Sequence, residues 1–211
     1  MAKLKSITII ILLSVVAFAS ALLLMVPLSL MQAPYTAPIW HAMMHCRISS
    51  YHGGSPISHE RAVEIAEAYL RSLNDPDLVI GEFEEYSNNF YLSIVEKSSG
   101  RGAIEVIINR YSGSIHPEPQ TMMWNAKYGM MARINGELRI TEAQAIEIAK
   151  EFLKATHPNT EISEVVTYYG YYTLMTTLNG EHYGMLSVNG YSGAVWYHTW
   201  HGTFISKVEL P

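Results

Sequence analysis

Two imidazoles, two thioethers and a thiol fall within six residues of the 211-residue chain, in His41-Ala42-Met43-Met44-His45-Cys46. Soft sulfur donors combined with imidazole nitrogen suit copper, Cu(I) above all. Read as a helix, the stretch puts His41 and His45 on one face at i, i+4, with Met44 at its border. The expected metal ligands are therefore His41, Met43, Met44, His45 and Cys46, and copper is the cofactor this donor set raises. His52, Met122, Met123, Met130, Met131, His198 and His201 are further donors that a fold would have to bring in from a distance. The competing reading is apolar packing, because methionine is a pliable filler of adaptable interfaces.

Other reactive patterns are missing. There is no His-Glu-x-x-His, no Gly-x-Ser-x-Gly elbow and no phosphate-binding Gly-rich loop, so no catalytic residues are expected and the chain does not read as an enzyme. Cys46 is the only cysteine, which excludes an intrachain disulfide. Glu82, Glu84 and Glu85 alternate about the start of a strand and read as a solvated edge that discourages edge-to-edge pairing. Tyr and Trp gather in the second half, and exposed aromatics of this kind contribute large contact area at low entropic cost. Met122, Met123, Trp124, Tyr128, Trp196 and Trp200 are accordingly the residues expected to bind a partner protein.

The elements that must position these groups begin with an apolar run. From Ile7 to Met31 no charged residue occurs, and a helix of about 20 apolar residues crosses a hydrocarbon core. A cleavable signal is a poorer fit, since its core runs about 7–15 residues. Lys3 and Lys5 precede the run and no basic residue follows until Arg47, which orients the N-terminus to the cytoplasm and places everything beyond about Gln32 outside the membrane. Of 14 basic residues, Lys3 and Lys5 lie inside, leaving 12 against 19 acidic, a net charge of −7. That balance disfavours nucleic acid and anionic lipid surfaces. Lipid contact through the anchor and a membrane or exported protein are the expected partners.

The outer part is a repeat. Ile57-Ser58-His59-Glu60-Arg61-Ala62-Val63-Glu64-Ile65-Ala66 matches Ile140-Thr141-Glu142-Ala143-Gln144-Ala145-Ile146-Glu147-Ile148-Ala149 at an offset of 83, and Asn109-Arg110-Tyr111-Ser112-Gly113 matches Asn189-Gly190-Tyr191-Ser192-Gly193 at an offset of 80. Each copy opens on a helix capped by Ser58 or Thr141, with Gln144 completing a capping box in the second. Pro76 and Pro158 end the helical patterns. Strands follow at Phe90–Val95 and Ala103–Ile108, and at Tyr171–Thr177 and His182–Val188 across the hairpin signal Asn179-Gly180. Each copy closes through a Ser-Gly turn into a short strand, Ser114–His116 and Ala194–Tyr197. The fold class is α+β, with an N-terminal transmembrane helix and two units in which a helix packs on a small antiparallel sheet.

The [ST]-x-x-x-A-x-x-I-A helix opening, the order helix, strand, hairpin, strand, and the Tyr-Ser-Gly turn resemble the PepSY domain of peptidase propeptides and many exported or membrane-anchored proteins. The resemblance covers about 57–118 and 140–200. The segment Met122-Met123-Trp124-Asn125-Ala126-Lys127-Tyr128-Gly129 is similar to a Met-Trp-Asn-x-Lys-Tyr-Gly link found between paired PepSY-like units. It implies binding or inhibition of a partner, including an exported peptidase, and brings no catalytic residues. The expected organisation is an anchor over 1–33, a Met/His-rich juxtamembrane segment over 34–56, a first unit over 57–118, a Met/Trp linker over 119–139, and a second unit with a C-terminal tail over 140–211.

Overall fold

A computed structural model describes residues 54–130, 138–208 and 210. The apolar run 7–31 and the donor cluster 41–46 lie outside the described residues. Among the described residues no helix is long and apolar enough to cross a membrane.

Helix α1 spans His59–Ser72 and α3 spans Glu142–Thr156. Ser58 accepts from the backbone N–H of Arg61 at 3.2 Å. Thr141 and Gln144 form the reciprocal capping box, with Thr141 N–H donating to Gln144 Oε1 at 2.8 Å and Gln144 N–H to Thr141 Oγ1 at 3.3 Å. A cap of this kind contributes about 1 kcal/mol. A six-residue helix, α2 (Pro119–Trp124), lies between them in the segment read as linker.

Strands β1 (Leu78–Tyr86), β2 (Asn89–Glu96), β3 (Gly102–Asn109), β4 (Ile115–Pro117) and β9 (Phe204–Lys207) form one sheet in the order β4-β3-β2-β1-β9. Strands β5 (Thr160–Thr167), β6 (Tyr171–Leu178), β7 (Glu181–Asn189) and β8 (Val195–Tyr197) form a second, in chain order. Every ladder is antiparallel. The repeat extends to irregularities: β1 bulges between Ile80 and Glu82, and β5 between Ile162 and Glu164. The Tyr-Ser-Gly turns are also built alike. Asn109 Oδ1 accepts from the N–H groups of Tyr111 and Ser112 at 3.0 and 2.8 Å, and Asn189 Oδ1 from Tyr191 and Ser192 at 3.0 and 3.0 Å. Gly113 and Gly193 then take φ of 70° and 72°, a left-handed conformation that only glycine adopts freely.

Strand alternation sorts side chains into two faces. On one face of the first sheet Phe83, Phe90, Leu92, Ile94, Val106 and Ile108 pack with Ala62 and Ala66 of α1. On one face of the second, Tyr172, Leu174, Leu186 and Val188 pack with Ala145, Ala149 and Leu153 of α3. Alanines on the inner helix faces let the helices approach the sheets closely. The opposite faces of both sheets supply a third buried cluster, Tyr86, Tyr91, Met175 and Met185, so the layers run helix, sheet, sheet, helix. Gly102 and Tyr168 bridge the sheets, and a Cβ on Gly102 would stand 2.5 Å from the Tyr168 ring.

The expected solvated edge at Glu82, Glu84 and Glu85 is corrected by β9. That strand covers β1, which becomes an interior strand, and Glu84 and Glu85 are buried. Glu85 accepts from His59 at 2.5 Å and Arg110 at 2.7 Å on the helix side of the sheet. Burial works against its ionisation, but His59 and Arg110 outweigh it and hold its pKa below the usual value. Glu84, on the other face, accepts from the Tyr86 hydroxyl at 2.8 Å and is pushed up, mainly by burial.

Candidate functional site

The layer between the two sheets is polar to an unusual degree. Glu105, Glu118, Gln120, Thr121, Thr173, Ser187, His198 and His201 are all buried in it. Buried polar groups must be hydrogen-bonded or carry an unfavourable desolvation cost, and most here are paired. Tyr91 donates to Glu105 Oε1 at 2.9 Å, Gln120 Nε2 to Glu105 Oε2 at 2.9 Å, and Thr121 meets the Tyr171 hydroxyl at 2.8 Å. Thr173 Oγ1 and Ser187 Oγ lie 2.9 Å apart.

At the centre stand Glu118, His198 and His201, whose donor atoms lie within 4.8 Å of one another. Glu118 sits where β4 gives way to α2 as its N-cap, and His198 and His201 lie in the loop that carries the chain from β8 in one sheet to β9 in the other. The Glu118 carboxylate accepts from Trp200 Nε1 at 3.0 Å and from Gln120 Nε2. Asn89 Nδ2 donates to the Trp200 carbonyl at 3.1 Å. This fixes the Asn89 amide so that its Oδ1, 2.8 Å from His201 Nδ1, accepts a proton held on that nitrogen. His198 Nε2 lies 3.0 Å from Ser187 Oγ, which can accept there while donating to Thr173. The remaining ring nitrogens, His198 Nδ1 and His201 Nε2, point into the centre and make no hydrogen bond, although they lie 3.6 and 3.0 Å from Glu118 oxygens. The 3.0 Å pair is close enough for a hydrogen bond but misaligned for one.

Burial pushes the His198 imidazole down to about 3, leaving it neutral at physiological pH. Burial opposes ionisation of Glu118, but the adjacent His201 and His198 outweigh it and hold the carboxyl low. Glu105 moves the other way, pushed up by burial and then by the Glu118 charge. One buried carboxylate is thus kept charged beside another kept neutral.

His198 and His201 are legible in the sequence as distant donors, whereas nothing local to Glu118 marks it as one. The repeat held the signal. At the offset of 80 that aligns the two Tyr-Ser-Gly turns, Glu118 corresponds to His198 and Thr121 to His201. The backbone repeats the correspondence: Glu118 N–H donates to the Glu105 carbonyl at 2.8 Å, and His198 N–H to the Met185 carbonyl at 3.0 Å. Equivalent positions of the two units therefore meet at the centre.

Of the six residues expected to bind a partner, the three tryptophans lie together, whereas Tyr128 is tied to Glu96, at the opposite end of β2 from the Asn89 that holds Trp200. Trp124 and Trp196 lie 5.5 Å apart, and Trp196 and Trp200 5.8 Å, as ring centroids. All three are half-buried, and Trp200 stacks on His198 at 4.6 Å. Met122 and Met130 are exposed, Met130 by 75%, and Met123 is half-buried. Tyr128 is turned inward and donates to Glu96 at 2.8 Å, beside Lys127 at 2.5 Å and Tyr169 at 2.9 Å. The Lys-Tyr pair of the link thus clamps it to the end of β2. The expected ligands His41, Met43, Met44, His45 and Cys46 lie outside the described residues.

No family model matches the chain, and no curated protein matches it. Among solved structures it is similar to the C-terminal domain of YpeB from Bacillus megaterium, at 14% identity and a TM-score of 0.27 over 67% of this chain and 62% of that one. It is also similar to a Clostridium difficile 630 protein described as a candidate lipoprotein, at 16% identity and a TM-score of 0.24 over 67% of this chain and 90% of that one.

Proposed function

We propose that this chain is a membrane-anchored, extracytoplasmic accessory protein in which two PepSY-like units act as one body that binds a membrane or exported protein. The observation that carries the reading is the cluster of Trp124, Trp196 and Trp200 together with the exposed methionines of the α2 segment. Met122 and Met130, joined by a backbone hydrogen bond, are exposed, and Trp124, Trp196 and Trp200 are half-buried. Aromatic and methionine side chains are the types enriched where proteins bind one another, and large half-exposed rings are the usual anchors of such contacts. The apolar run Ile7–Met31 supplies the anchor, and the basic residues before it set the orientation. The net charge of −7 in the outer part supports a protein rather than an anionic lipid or nucleic acid as the partner.

The test is affinity purification of the full chain from native membranes in mild detergent. Wild type is expected to bring down one protein in fixed stoichiometry, and the double change Met122→Glu and Met130→Glu to lose it while retaining the wild-type circular dichroism. Met130 is 75% exposed and Met122 36%, and neither belongs to a buried apolar cluster, so the wild-type spectrum is the expected result for the variant. Equal recovery of the same protein by wild type and variant would overturn the assignment of this surface.

A further inference from the structure

The centre between the sheets contains two imidazoles whose inward nitrogens have no hydrogen-bond partner, facing a carboxylate. His201 Nδ1 is bound to Asn89 Oδ1 and His198 Nε2 to Ser187 Oγ, so each ring is fixed through its outer nitrogen and presents the inner one. This is the arrangement by which second-shell partners orient histidine ligands. The carboxylate is likewise held from behind, by Trp200 Nε1 and Gln120 Nε2. Two inward-facing imidazole nitrogens and a carboxylate, each held from behind, form a donor set that a bound cation satisfies.

Distance favours a metal ion over a shared proton. A proton would need a straight N–H···O line, and the 3.0 Å contact between His201 Nε2 and Glu118 Oε1 lacks it. Two donors each about 2.0–2.1 Å from a tetrahedral ion stand roughly 3.3–3.4 Å apart. His201 Nε2 lies 3.0 Å from Glu118 Oε1 and His198 Nδ1 lies 3.6 Å from Oε2, and one donor atom from each of the three residues falls within 4.8 Å of the others, close enough for one ion to draw them in. Two imidazole nitrogens and one carboxylate oxygen are borderline donors, matched to Zn²⁺ and its first-row neighbours. They do not match Cu(I), which selects sulfur, or Ca²⁺ and Mg²⁺, which select oxygen.

We propose that Glu118, His198 and His201 form a binding site for a divalent transition-metal ion of the Zn²⁺ type. The ion staples the two sheets together. Glu118 follows β4 of the first sheet, and His198 and His201 belong to the loop leaving β8 of the second, so one ion ties both units and the crossing chain at a single point. A ligand that binds only the folded chain stabilises it by mass action.

The test uses the full chain, purified free of metal in detergent, loaded with ZnCl₂ and desalted. Retention of about one zinc per chain is expected, with a higher Tm than the metal-free protein. Glu118→Gln is expected to weaken zinc retention at least about tenfold and to abolish the rise in Tm. X-ray absorption of the zinc-loaded wild type separates this centre from the sulfur-rich segment even if Glu118→Gln fails to fold, because the expected first shell is nitrogen and oxygen without sulfur. A folded wild type that retains no zinc, or a first shell containing sulfur, would overturn the proposal.

Discussion

Single side chains in this molecule work as paired charges under cover. Glu96 is buried at the end of β2 and accepts from Lys127, Ser99, Tyr128 and Tyr169. Burial alone would raise its pKa, but those donors, Lys127 first, bring it down to about 2. Because the folded pKa lies below the unfolded one of about 4.3, the stabilisation is complete above that unfolded value and is lost as pH falls toward 2. Lys127→Met removes the first of the donors. It is expected to cost about 1–3 kcal/mol at pH 7 and to flatten the dependence of stability on pH between about 5 and 2, as denaturant titrations across that range would show. A pH dependence identical to wild type would mean that Lys127 does not hold the carboxylate. Residues of this kind were only half legible. Lys127 and Tyr128 stood out as part of a motif, but nothing local to them announces that Glu96, 31 residues away from the lysine, is their partner.

At the scale of elements, legibility followed the range of the determinant. The caps at Ser58 and Thr141, the Asn179-Gly180 hairpin and the Tyr-Ser-Gly turns depend on residues within a few positions of one another, and they form where the sequence places them. Gly113→Ala and Gly193→Ala should therefore be equivalent. Each forces a side chain into a left-handed backbone and is expected to cost about 1 kcal/mol, with the two effects additive in urea denaturation because the turns belong to separate units. A loss confined to one site would break the equivalence of the two copies. Strand β9 and helix α2 are not legible in the sequence, for the opposite reason. Phe204–Lys207 is a four-residue strand whose only ladder is with β1, about 120 residues earlier, and Pro119–Trp124 is too short to carry a helical period. The missed β9 also explains the misread edge, since an alternation of glutamates looks solvated until the strand that covers it is known.

At the scale of the molecule, the two copies place their helices outside and their second sheet faces against each other. The layer they enclose is polar rather than oily. A polar layer fixes which surfaces pair more sharply than an apolar one, because a shifted register would leave carboxylates and imidazoles without partners. The Glu118–His198–His201 centre occupies the point where equivalent positions meet, and the Met/Trp surface lies over it through Trp200. Position of a partner on that surface is the central claim. The most direct measurement is site-specific photocrosslinking in native membranes, with a photoreactive residue in place of Met130 and, as the control, in place of Glu151 on the outer face of α3, where the side chain is exposed. A single discrete adduct from position 130, absent from position 151, is the expected result. No adduct at 130 beyond that seen at 151 would contradict it.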